Sequence, residues 1–320
     1  MTYLTLAAGL VLLLVGGDAL VRGAVGVATR LGVSPLVIGL TLVGFGTSTP
    51  ELVASVQAAL IGAPGIAVGN IVGSNIANIL LILGIAAVLL PIKATREVLR
   101  RDGTVLLGAS LMMVAVVLSG SLERWAGVAL IVMLAAYTIS SFIVAARRGV
   151  SPGDDQPTTT WPRGFAISFA VTVAGIIGVV TGADLLVKSA VTLSERAGLS
   201  QAVVGLTVVA VGTSLPELVT SVMAALRRQG QVALGNIIGS NIFNIMGIAG
   251  ATALVAEVPI PRQIVRLDVW VMLAAAALLV AFAAKGRGID RREGAILLAS
   301  YGLYLFLQFS PAARRALGLG

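Results

Sequence analysis

Two glutamates stand out by what precedes them. Glu51 closes the run Gly-Thr-Ser-Thr-Pro-Glu at 46–51, and Glu217 closes Gly-Thr-Ser-Leu-Pro-Glu at 212–217. Both runs lie inside apolar stretches. A carboxylate at mid-bilayer costs about 2.5–3.5 kcal/mol on insertion scales, so a bound cation, a proton or a buried base must offset each charge. No Lys or Arg falls in the middle of an apolar stretch, which leaves cations or protons. On a helix, Thr47 and Ser48 share a face with Glu51, and Thr213 and Ser214 share one with Glu217. Proline has no amide proton, so Pro50 frees the carbonyl of Gly46 and kinks the helix, and Pro216 does the same to Gly212. A free carbonyl in lipid needs a partner, and an ion can be that partner.

A second polar set accompanies the first. Asn70, Ser74 and Asn78 recur at i, i+4 and i+8, and Asn236, Ser240 and Asn244 repeat the stripe. Carboxylates, hydroxyls, amide oxygens and free carbonyls meeting from four helices amount to a cage for a hard cation. The competing reading is interhelical hydrogen bonding. It weighs equally for Asn70, Asn75, Asn236 and Asn241, but it gives no reason for a charge at Glu51 or Glu217. Asp18 and Asp184 each have a base four residues on, Arg22 and Lys188, so a local ion pair near a span end is expected for both. Gly69/Gly73 and Gly235/Gly239 are small-residue pairs that let neighbouring helices approach.

The elements that must position these groups follow from composition. Of 320 residues, 58% are hydrophobic and 11% charged, and the mean hydropathy is +1.02. Soluble domains are nearer 45–50% and about 25%, so a soluble enzyme and a disordered chain are both excluded. Long Leu, Val, Ala and Ile runs without alternation indicate helices rather than an outer-membrane barrel. Ten apolar segments are predicted, over 2–21, 35–60, 66–90, 104–119, 125–146, 163–187, 200–226, 232–256, 267–284 and 293–309. Each approaches the roughly 20 residues that cross a bilayer. Met1 to Val15 reads as a retained first span rather than a signal peptide. Residues 147–162 form a polar linker, dividing the chain into five-helix units at 1–146 and 163–320.

The net charge of +8 comes from basic clusters scattered between apolar runs, which is topogenic charge and not a nucleic-acid surface. The clusters favour both termini outside and the linker in the cytoplasm. The chain has neither Cys nor His, which excludes disulfides, sites built on thiolate or imidazole, and histidine-based triads.

Shifted by 166 residues, positions 16–84 align with 182–250 without a gap, and 38 of the 69 are identical. A five-span unit contains an odd number of crossings, so the second copy must enter the membrane inverted. Inverted repeats with polar motifs in mid-span are characteristic of secondary transporters.

At these motifs the chain resembles the calcium/cation antiporter superfamily, specifically its prokaryotic sodium/calcium exchanger branch. The resemblance implies an all-α integral membrane protein of ten helices, built as two inverted five-helix repeats around a four-helix ion-binding core. It further implies that the first and sixth spans slide across that core. It assigns Glu51 and Glu217 as calcium carboxylates, and Thr47, Ser48, Thr213 and Ser214 as hydroxyl and carbonyl ligands. Ser74 and Ser240 become sodium ligands, with the carbonyls of Gly44 and Ala210 completing the sodium sites, and Asn78 and Asn244 line the centre. Some branches, the potassium-dependent one included, carry Asp where Asn244 stands, which argues against potassium dependence here.

The expectation is Na⁺/Ca²⁺ antiport across the cytoplasmic membrane, with the three Na⁺ per Ca²⁺ that the resemblance implies, in contact with lipid and with no cofactor, no nucleic acid and no obligate protein partner. An H⁺/Ca²⁺ antiporter is the alternative in the same class, since a buried glutamate without a cation binds a proton to shed its charge. From other classes, an intramembrane enzyme with a carboxylate dyad and a channel remain open. The ring of hydroxyls and amides suits ions better than a scissile peptide.

Overall fold

A computed structural model describes residues 2–92, 99–148, 164–196, 210–285, 288–310 and 315. The protein is an all-helical membrane protein. Among the described residues, seven helices are long and apolar enough to cross a bilayer, and a bent pair, Pro35–Thr47 with Thr49–Leu60, makes an eighth. In chain order the helices are α1 (Thr2–Leu31), α2 (Pro35–Thr47), α3 (Thr49–Leu60), α4 (Pro64–Leu89), α5 (Thr104–Leu118) and α6 (Arg124–Arg148). The second half follows with α7 (Phe165–Arg196), α8 (Ala210–Thr213), α9 (Leu215–Leu226), α10 (Gly230–Val255), α11 (Val269–Ala284) and α12 (Arg291–Phe309). The expected seventh span, 200–226, is described only from 210 onward, and all but the first two residues of the expected linker, 147–162, lie outside the described residues. The expected tenth span is α12, 19 residues long, whose apolarity is diluted by Arg291, Arg292, Glu293 and Gln308.

Burial separates the helices into an inner and an outer set. In α4 and α10, 72% and 83% of the apolar stretch is buried, against 33% in α1 and 28% in α7. The inner helices carry the polar stripes, which in lipid must be shielded by protein. They centre one apolar core, with Ile71, Ile76, Leu83, Ile237, Ile242 and Ile248 inaccessible. A separate cluster, including Leu13, Leu20, Val37, Val43 and Val179, joins α1 and α7 to α2.

α1 and α7 lie antiparallel at very short range. Gly9, Gly16 and Gly23, one every two turns on α1, meet the α7 backbone near Gly182, Val179 and Thr172. A Cβ added at Gly23 would fall 2.5 Å from the amide nitrogen of Thr172, and one at Gly175 would fall 2.5 Å from that of Leu20. Only glycine permits this spacing.

Both inner helices contain a wide π-helical turn, Ala77–Leu83 in α4 and Phe243–Ile248 in α10. Such turns are frequent at functional sites, because the extra residue leaves backbone and side-chain groups off the regular ladder. Short extended pairings tie the halves together. Ser121–Leu122 pairs antiparallel with Val258–Pro259, and Ile92 bridges Ile289. Ile92 and Val258 are 166 residues apart, so each half's loop after its inner helix pairs with the other half.

Candidate functional site

Both glutamates sit just past a broken helix. α2 and α3 meet at 45° across Ser48, whose φ of −82° and ψ of 9° take it out of the helical basin. α8 and α9 meet across Ser214, with φ −91° and ψ 7°. Pro50 and Pro216 stand in the first turns of α3 and α9, where a missing amide proton costs nothing. Glu51 and Glu217 occupy those same first turns, so each carboxylate lies at the positive end of a helix.

Both carboxylates are 1% exposed. The Ser48 hydroxyl donates to Oε1 of Glu217 at 2.7 Å, and the Ser214 hydroxyl reaches Oε1 of Glu51 at 3.4 Å. Each serine therefore serves the glutamate of the other half. Oε2 of both glutamates is buried with no hydrogen-bond partner among the described residues, and no ion pair there joins either one to a base.

The inner helices hold the broken ones in place. Asn70 of α4 donates to the Glu51 carbonyl at 3.1 Å and to the Ser55 hydroxyl at 2.8 Å. Asn236 of α10 makes the same pair of bonds to the Glu217 carbonyl, 3.4 Å, and Ser221, 2.9 Å. The Thr47 hydroxyl lies 3.2 Å from Oδ1 of Asn236 and 3.1 Å from the Val43 carbonyl. The Ser240 hydroxyl donates to the Gly44 carbonyl at 3.3 Å.

Asn78 and Asn244 lie in the two π-helical turns and are 1% exposed. Oδ1 of Asn78 and both side-chain polar atoms of Asn244 have no partner among the described residues. Ser74 is buried on α4. Thr213 is half-buried and lines a cavity of about 390 Å³ between α3 and α7, together with Pro50, Val53, Gln57 and Asp184. Ala210 opens α8, immediately after residues outside the description. Buried oxygens without partners, at the mouths of helices and beside hydroxyls, are what a hard cation needs.

The profile of the sodium/calcium exchanger protein family matches residues 1–143 and 167–310. The chain belongs to the sodium/calcium exchanger family. It is 34% identical over 343 residues to the sodium/calcium exchanger MaX1 of Methanosarcina acetivorans, covering 96% of this chain and 98% of that protein. It is 36% identical over 274 residues to the inner membrane protein YrbG of Escherichia coli, covering 84% of each. A solved structure of the sodium-calcium exchanger NCX_Mj soaked with Na⁺ and Sr²⁺ superposes with a TM-score of 0.83 at 33% identity, over 95% of this chain and 97% of that one. Family membership supports cation/Ca²⁺ exchange, and the relatives are exchangers or membrane proteins rather than enzymes.

Within this exchanger-family chain, the four asparagines left between two readings divide by position, in the same way on α4 and α10. Asn70 and Asn236 bond across helices, whereas Asn75 and Asn241 donate back to the Ile71 and Ile237 carbonyls, both at 2.7 Å. The expected local ion pairs are present, Arg22 to Asp18 at 2.9 Å and Lys188 to Asp184 at 2.8 Å. Gly235 and Gly239 press on the backbone of α2 near Leu36 and Leu40. The matching contact for Gly69 and Gly73 would fall on residues outside the description.

Sequence reasoning missed three features. Asp18 also pairs with Arg227, beyond α9. Asp102 is fully buried, with Tyr137 donating at 3.1 Å and Arg101 at 2.8 Å. Its counterpart Asp268 takes the Tyr304 hydroxyl at 3.1 Å and the Gln308 amide. The signal was present: an Asp followed 35 or 36 residues later by a Tyr, once in each half.

Proposed function

We propose that the chain is a secondary active antiporter that moves Ca²⁺ out against Na⁺ by alternating access. Ten spans form two inverted five-helix units, 1–146 and 163–320, joined by a linker at 147–162. It sits in the cytoplasmic membrane, a placement that similarity to the inner membrane protein YrbG supports, and both termini face outside. Glu51 and Glu217 bind Ca²⁺, with Thr47, Ser48, Thr213 and Ser214 as further oxygen ligands. Ser74, Ser240 and the carbonyls of Gly44 and Ala210 hold Na⁺, and Asn78 and Asn244 line the space between.

One observation carries this reading. The two buried carboxylates are linked by reciprocal serine bonds, and each keeps one oxygen without a hydrogen-bond partner among the described residues. A hydrogen-bonded carboxylate with a spare oxygen, and no base beside it, is arranged to receive a cation rather than to satisfy itself. The cage carries two formal negative charges. One Ca²⁺ balances them, and three Na⁺ leave one positive charge over. Exchange at that ratio is electrogenic and responds to membrane potential.

The test is radioactive calcium uptake into proteoliposomes under an imposed Na⁺ gradient or an imposed pH gradient. Uptake that follows the outward Na⁺ gradient and accelerates when the vesicle interior is held positive is the expected result, because one net positive charge leaves per Ca²⁺ taken up. Uptake driven by pH without Na⁺ makes the chain an H⁺/Ca²⁺ antiporter instead.

A further inference from the structure

The two repeat-related seams that flank the glutamate helices, α3 with α7 and α9 with α1, are unequal. On one side, α3 and α7 leave the 390 Å³ cavity, with Val53, Gln57, Ala183 and Asp184 among its walls. The repeat mates of those four residues are Val219, Met223, Gly17 and Asp18. There the seam is shut. A Cβ on Gly17 would fall 2.8 Å from Cγ1 of Val219 and 3.2 Å from Cγ of Met223, so α1 lies directly on α9.

The ion pairs differ in the same sense. Asp184 pairs with Lys188 on its own helix, and the two side chains are 53% and 74% exposed. Asp18 pairs with Arg22 on its own helix and, in addition, with Arg227 at the end of α9. The local pair occurs in both halves; among the described residues, the bond between helices occurs in one. Arg227 has Ile61 as its mate, an exposed side chain that cannot accept this role. The next residue makes the same point. Arg228 adopts φ +59°, where its mate Gly62 sits at +71°, so the basic pair occupies a turn that glycine would fill without strain.

We propose that the Asp18–Arg227 bond is a one-sided latch. It clamps α1 onto α9, keeps the Asp18-side approach closed, and favours the state open beside Asp184 over its mirror image. Two inverted copies of one unit give two access states of similar packing. Residues whose repeat mates differ in charge then set the balance between them, and Arg227, matched by Ile61, is such a residue. The glycine contacts of α1 with α7 make the two helices move as one body, so holding α1 also holds the cavity wall on the other side.

The latch rests on the alternating-access reading, but its test needs no ion gradient or transport. The chain has no Cys, so single substitutions report without background. Val53→Cys marks the open approach and Val219→Cys its closed mate. Each is labelled with a sulfhydryl reagent in detergent-solubilised protein, alone and combined with Arg227→Ile, which installs the mate's residue. The expected result is labelling at position 219 that rises about two- to fivefold while labelling at 53 falls, the scale of a partly exposed ion pair. Ile61→Arg should shift both rates the opposite way. Unchanged rates, or a rise at both positions, overturn the latch. If Arg227→Ile does not yield folded protein, Asp18→Asn is judged by the same outcomes. Failure of Glu51→Gln to stop calcium flux would sink the ligand assignment and leave this result untouched.

Discussion

The hydroxyl of Ser48 lies 2.7 Å from Oε1 of Glu217, a residue 169 positions later in the chain. With Ser214 reaching back to Glu51, neither half of the molecule holds a complete set of bonds around its own carboxylate. The exchange of partners follows from the helix breaks. At ψ near 0° the chain leaves the helical path at each serine, and the hydroxyl turns from its own half toward the other.

Replacing Glu51 or Glu217 by Gln keeps the shape and removes the charge. Calcium flux in proteoliposomes should fall at least about 30-fold, the effect of roughly 2 kcal/mol lost from a buried charged contact. Both variants should elute as folded protein in gel filtration. Retained exchange in either would show that the carboxylate is not a ligand.

Ser48→Ala and Ser214→Ala should be unequal. A hydrogen bond to a charged group contributes about 1.5–3 kcal/mol, and the shorter one contributes more. Ser48→Ala removes the 2.7 Å bond and should weaken calcium binding by at least about tenfold, whereas Ser214→Ala removes a 3.4 Å contact and should act more mildly. Calorimetric titration with Ca²⁺ decides the order, and a larger effect at Ser214 would contradict it.

Asn244→Asp tests the centre of the cage. Neither polar atom of the Asn244 side chain has a partner among the described residues, so the isosteric carboxylate breaks no bond there. With saturating Ca²⁺ present to offset the added charge, the melting temperature should hold while the preference between Na⁺ and Ca²⁺ shifts, because a third charge joins the two glutamates. Unaltered selectivity in competition flux assays would remove Asn244 from the site.

Asp290 gives a pH-dependent prediction away from the membrane core. It caps α12, accepting from the amides of Glu293 and Arg292 while Glu293 bonds back to its own amide. The Glu293 amide is the main cause that holds its carboxyl below the usual range, with desolvation opposing it and the Arg292 amide and nearby positive charges adding to the effect. A depressed carboxyl stabilises the fold above its unfolded value and loses that contribution as pH falls through its folded value. Thermal melts from neutral to acidic pH should therefore show Asp290→Asn, which keeps a cap but cannot titrate, converging on wild type as pH drops. A constant gap between the two would contradict the assignment.

The glutamates were legible because a charge inside an apolar run has few explanations, and because each occurs twice in the same setting. The broken helices were legible from Pro50 and Pro216. The crossing of Ser48 to Glu217 was not. Helical periodicity places Ser48 beside Glu51, and only the break itself redirects it. Asp102 and Asp268 escaped notice because they stand at the edges of the apolar segments 104–119 and 267–284, where a carboxylate reads as a boundary. What buries them is a tyrosine from the following helix, and helix-to-helix packing has no local signature. The same holds for Arg227, which is 209 residues from Asp18.

The crossed loop pairings carry a consequence for how the chain matures. Ile92 finds Ile289, and Ser121–Leu122 finds Val258–Pro259, only after most of the protein has left the ribosome. Until then the nascent first half holds its acid in lipid with its borrowed serine still untranslated. The first half therefore cannot finish the bonding around its own carboxylate until the second is made.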